Sequence, residues 1–174
     1  MFLYLQKIKS IRKSKMKKVI VLFVFLVSMA FANETMAQYN TAIGLRAGSG
    51  NGLTVKHFIQ EDAALEGLLY TRWRGFLVTG LYEIHKDIPD VRGLQWFYGG
   101  GAHIGSWNAG NHNTPWGDRN TSYTIIGLDG IIGLDYKFTD APINLSLDWK
   151  PAINFGERGG FWGDEVALSI RFAF

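Results

Sequence analysis

The sequence predicts an all-β chain: an eight-stranded antiparallel up-and-down transmembrane β-barrel. Three observations predict it: apolar and polar residues alternate with period two, charge keeps to one face of each alternating segment, and glycine and aromatics are abundant. The 174 residues include 21 glycines but only 4 prolines, and aromatics make up 14% of the chain. Such a mix suits strands and turns better than helices, and the length fits one domain.

Alternation is clearest at the C-terminus, where Val166, Leu168, Ile170, Phe172 and Phe174 oppose Glu165, Ala167, Ser169, Arg171 and Ala173. The segment 143–155 repeats it, with Ile143, Leu145, Leu147, Trp149, Pro151, Ile153 and Phe155 against Asn144, Ser146, Asp148, Lys150, Ala152 and Asn154. Residues 124–138 carry a third strand, its apolar face running from Ile126 to Phe138 against Asp129, Asp135 and Lys137. Weaker alternation predicts strands near 39–49, 53–59, 63–73, 76–86 and 93–107. The count is then eight, each near the length a tilted membrane strand needs. The connections at Gly48–Gly52, Gln60–Asp62, Arg74–Gly75 and Thr139–Pro142 are short, whereas 108–121 and 156–163 are long, polar or glycine-rich loops. The two long loops fall on one side of the barrel.

The polar faces of the strands carry Arg46, Lys56, Arg72, Lys137, Lys150 and Arg171 against Glu66, Glu83, Asp129, Asp135, Asp148 and Glu165. Buried charges must be paired, so this balanced set predicts an ionic network filling a lumen. Phe97, Tyr70 and His103 share that interior, and eight strands leave room for side chains but for no continuous pore. The opposite face is nearly free of charge and carries Trp73, Tyr82, Trp96, Tyr98, Tyr136 and Trp149, an expected aromatic girdle at the two membrane interfaces.

Residues 1–37 are a separate segment. Seven of the eighteen Lys and Arg residues lie within the first 18 positions, ahead of the apolar run Val19–Ala32, with small residues at Ala30, Ala32 and Ala37. That is the pattern of a secretory signal peptide cleaved after Ala37 or Ala32, with Met16 as an alternative start. Residues 38–174 then form the mature barrel, with eleven basic against fourteen acidic residues. A net charge of −3 without a basic patch excludes nucleic acid as a partner. The absence of cysteine excludes disulfides, thiolate metal sites and thiol nucleophiles.

Two features resemble a known family. The terminal strand, with Leu168, Ile170, Phe172 and Phe174 on alternate positions, is similar to the C-terminal signal that the barrel assembly machinery reads in Gram-negative outer-membrane proteins. The block Gly127–Phe138, followed by Ala141–Pro151, resembles a late hairpin of the small OmpA and OmpX type barrels. The resemblance covers residues 39–174 and implies the cell outer membrane, contact with its lipid and passage through that machinery. The fold type hosts anchors, adhesins, small pores and a few lipid-modifying enzymes. No peptidoglycan-binding domain follows, so cell-wall anchoring is not expected.

No catalytic residue, metal or cofactor is expected. Of the four histidines, His57, His85, His103 and His112, His85 and His103 fall on inward faces, with Glu83 near. A lumen polar role is the expectation for both; a catalytic one requires Ser106 or Ser122 to meet His103 or His112 at one rim. His112 with Asp118 supplies too few ligands for a metal. Gly99–Gly101 lacks the Lys-Ser/Thr of a phosphate-binding loop, and with Gly127, Gly130 and Gly133 it is expected to give way to bulky neighbours. Trp107, Trp116, Phe161 and Trp162 are expected as exposed loop aromatics that anchor a partner or dip into lipid. The function expected is therefore a non-enzymatic barrel with a filled lumen, structural or surface-interacting through external loops whose partner is unknown. The alternatives are a lipid-modifying enzyme or a small pore.

Overall fold

The structure, a computed structural model, describes residues 40–108, 122–155 and 159–174. The expected leader, and His112, Trp116 and Asp118 of the long loop, lie outside the described residues. The strands are β1 (Thr41–Gly48), β2 (Asn51–Phe58), β3 (Ala63–Arg72), β4 (Gly75–Asp87), β5 (Leu94–Trp107), β6 (Tyr123–Lys137), β7 (Ile143–Trp149), β8 (Ala152–Phe155), β9 (Gly160–Trp162) and β10 (Val166–Ala173). All pairings are antiparallel. Each strand from β1 to β6 pairs with the next, β6 continues onto β7 and β8, and β10 joins β7 to β1. The result is a closed barrel of eight staves, in which β7 with β8 and β9 with β10 each form one interrupted stave.

The interruption departs from the expected unbroken strand over 143–155 and from the expected loop over 156–163. Pro151 has no N–H to give to a ladder, and the strand breaks at Lys150–Pro151. The register against β6 is nevertheless kept across the break, where the Gly130 amide donates to the Pro151 carbonyl at 2.8 Å. On the other side Trp149 pairs with Val166 and Ala152 with Trp162, so Gly163, Asp164 and Glu165 oppose only Lys150 and Pro151. One extra residue makes a bulge. It turns both Trp162 and Glu165 inward although three positions separate them.

Elsewhere the alternation sorts side chains as the pleat demands. Leu45, Leu128, Leu147 and Ile170 on the outside are 51–60% exposed. Inside, close approach of a neighbouring stave's backbone and of the lumen rings leaves several inward positions no room for a side chain. A Cβ on Gly101 would lie 1.9 Å from the Gly80 carbonyl oxygen, one on Gly127 2.5 Å from the His103 ring, and one on Gly133 2.8 Å from Phe97. By contrast, Gly67 on the outside has open space around it. Gly101→Ala is therefore expected to destabilise the barrel by about 1–3 kcal/mol through overpacking. Gly67→Ala should stay within about 0.5 kcal/mol of the parent. Urea unfolding of the two variants in the same detergent or lipid checks the contrast, and equal effects would contradict this packing.

Candidate functional site

The lumen is the candidate site, because the inward face of nearly every stave delivers a polar or charged side chain to it. Two groups of ion pairs fill it. In the half nearer the short β2–β3, β4–β5 and β6–β7 turns, the Lys56 ammonium lies 2.8 Å from Glu83, 3.4 Å from Glu66 and 3.5 Å from Asp135. It also sits 4.2 Å over the Phe97 ring. Arg171 bonds to Glu66 and donates to Thr54 Oγ1 at 2.9 Å, Ser146 Oγ at 2.7 Å and Asn144 Oδ1 at 3.0 Å.

In the other half, Arg46 makes a two-bond fork with Asp148 at 2.6 and 2.7 Å and lies 3.5 Å from Glu165. Lys150 bridges Asp129 at 2.7 Å and Glu165 at 3.3 Å. Arg72 reaches Glu165 at 3.3 Å and, at the rim, the exposed Asp164 at 2.7 Å. The Arg72 hydrogen bond holds the Asp164 carboxyl below its ordinary range. At the opposite rim Lys86 does the same to Asp62, 2.7 Å away.

Eleven of the twelve charged positions read from the sequence are thus buried. Lys137 differs. It ends β6 half-buried beside an open recess of about 450 Å³ at the turn end, which Glu61, Asp62, His85, Lys86 and Gln95 also line. The uncharged members Thr54, Asn144, Ser146 and Asn154 were not singled out from the sequence. Their position on the polar side of the alternation is the signal that finds them.

Aromatic residues close the other end, contrary to the expectation that Trp107 and Trp162 are exposed. Trp107 has inward parity at the end of β5, room left by Gly75 and Gly105, and an indole N–H donated to the Arg72 carbonyl at 3.2 Å. It stacks on Tyr123 at 5.5 Å and meets Trp162 edge-on at 6.1 Å. Trp73, expected in the outer girdle, is also drawn over this end. It lies with Arg74 in a tight turn at φ 49° and 59°, and its ring packs edge-on against Trp162 at 5.0 Å and face-on to the Arg72 guanidinium at 4.0 Å. Tyr82, Trp96, Tyr98 and Trp149 are exposed on the outer wall, and Tyr136 is half-buried there. Phe161 is 67% exposed.

His85 and His103 are placed as polar members of the lumen. His85 Nε2 lies 3.1 Å from Glu83, with its ring stacked on Phe97. His103 has Nδ1 2.8 Å from Asp129 and Nε2 2.9 Å from Asn154 Oδ1, so both ring nitrogens are occupied. Ser106 is exposed on the outer side, and His57 faces outward with Thr41 Oγ1 at 2.8 Å. Glu83, His85, Lys56 and Phe97 pack together, and among the described residues the side chains bonded to the two buried histidines are Glu83, Asp129 and Asn154, none of them a nucleophilic hydroxyl.

No family model and no curated protein matches this sequence. Among solved structures, the N-terminal β-barrel domain of Pseudomonas aeruginosa OprF superposes with a TM-score of 0.58, covering 77% of this chain and 94% of that one at 20% identity. The fold is that of the OmpA-type barrel. In this OmpA-type barrel the lumen is the part whose chemistry is most sharply defined. A buried pair stabilises little by itself, because desolvation offsets the Coulomb gain, but removing one partner strands the other. Asp148→Ala, which leaves Arg46 in the lumen without its fork, is therefore expected to cost about 3–5 kcal/mol. Replacing Arg46 and Asp148 together by methionine should cost much less. Unfolding midpoints at neutral pH and low salt decide between this and an independent contribution from each residue.

Proposed function

We propose that this chain is an outer-membrane barrel with a side-chain-filled lumen, serving as a structural or surface-interaction module through the side that carries its long loops. The observation that carries the reading is the sorting of charge. Ionic side chains occupy the inside, and the outside is a belt of exposed leucine, isoleucine, valine, tyrosine and tryptophan. Water as the surrounding solvent gives no reason for that arrangement; lipid does, since apolar area faces hydrocarbon and every strand edge is paired. A soluble calyx would need the reverse.

The terminal strand supports the same location. Leu168, Ile170 and Phe174 are exposed and Phe172 half-buried on its outer side, an alternating apolar face available to the barrel assembly machinery during biogenesis. A lipid-modifying enzyme needs an activated nucleophile at a rim, and the partners of His103 are a carboxylate and an amide. A pore needs an open path, and Trp107, Trp162 and Trp73 crowd one end of the lumen. Function on this reading belongs to the loop side, where Phe161 stands out of the wall.

Replacing Leu147 by Arg puts a charge on the outer wall, where it is 51% exposed. In lipid vesicles the variant should lose roughly 2–4 kcal/mol of stability if the site lies at mid-bilayer. The parent should migrate heat-modifiably on a gel when extracted from membranes. Insensitivity to Leu147→Arg, with the parent recovered in the water-soluble fraction, would contradict the membrane reading.

A further inference from the structure

The charges of the turn-side group do not match. Lys56 and Arg171 are its cations, and Glu66, Glu83 and Asp135 its carboxylates, all with side chains at most 2% exposed. The neighbouring cation, Arg46, is already held by Asp148 and Glu165. One carboxylate is in excess where unpaired charge is strongly disfavoured. His85, beside Glu83, supplies a third cation only as an imidazolium, but its Nδ1 is buried without a hydrogen-bond partner. An imidazolium there would bury its charge between the Phe58 and Phe97 rings.

The carboxylate oxygens point to a different solution. Glu66 Oε2 and Glu83 Oε2 converge on the one Lys56 ammonium, at 3.4 and 2.8 Å, and Glu83 Oε1 has no hydrogen-bond partner. Two carboxylates are both acceptors, so a hydrogen bond between them needs a proton. Among the described residues no three His, Asp or Glu side chains converge as a metal site, and one bound proton brings two carboxylate charges to two cations.

We propose that Glu66 and Glu83 bind one proton between them at neutral pH. The groups that face the pair are Lys56 from β2, His85 from β4, Asp135 from β6, Arg171 from β10 and Arg46 from β1. With the proton bound, two carboxylates remain for two cations. His85 lines the recess and touches Glu83.

Infrared spectroscopy of the detergent-folded protein at neutral pH tests the binding site. The expected result is a C=O stretch of a protonated carboxyl, shifted by carbon-13 labelling of glutamate and absent from Glu83→Gln and Glu66→Gln. No such band in the parent overturns the proposal whether or not the variants fold, and so does a band that glutamate labelling leaves unshifted or that both variants keep. Because the folded state holds a proton that the unfolded chain has released, stability should fall as pH rises, and Glu83→Gln should flatten that fall.

Discussion

A charge enclosed by a barrel must find a partner inside it, and most of this structure is arranged around that constraint. Among the described residues, five buried cations and six buried carboxylates share the lumen, and each cation contacts more than one acceptor. Arg46, Lys56, Lys150 and Arg171 connect staves that are far apart in sequence: the Arg46–Asp148 contact spans 102 residues and the Arg171–Glu66 contact 105. Such pairs are poor sources of net stability, but they select one register. A slip of one residue along any stave would exchange ionic side chains for leucines and send the charges to the outer wall.

The same demand accounts for the irregular stave. Without the extra residue in Gly163–Glu165, strict alternation could not place both Trp162 and Glu165 inside. Glu165 is the acceptor shared by Arg46, Arg72 and Lys150, with the Tyr70 hydroxyl 3.3 Å away, and Trp162 belongs to the aromatic layer above it. The bulge therefore serves two levels of the lumen at once. At the opposite end the recess beside His85 leaves the network closer to solvent.

Much of this was legible in the sequence, and the unequal success has physical causes. The barrel and the inward charges follow from a period of two, a strong signal because one residue of slip reverses a whole face. The break at Lys150–Pro151 lay inside a run whose alternation is perfect, and nothing but the proline marked it. Trp107, Trp162 and Trp73 misled because a tryptophan next to a polar loop has the same local sequence whether it caps a lumen or faces lipid. Their placement depends on space left by Gly75 and Gly105 and on a turn with positive φ, which are tertiary facts. Which acid meets which base was equally out of reach, since pairing across the lumen depends on the stagger of the staves. The polar partners Asn144, Ser146 and Asn154 were visible as inward positions but not as ligands of Arg171 and His103.

The central claim is that ion-paired side chains, capped by aromatics, fill this barrel from within. Single-channel recording of the purified protein in planar bilayers tests it most directly. An eight-stranded interior occupied in this way should give no steady conductance. Reproducible large single-channel steps, from protein free of contaminating porins, would contradict it.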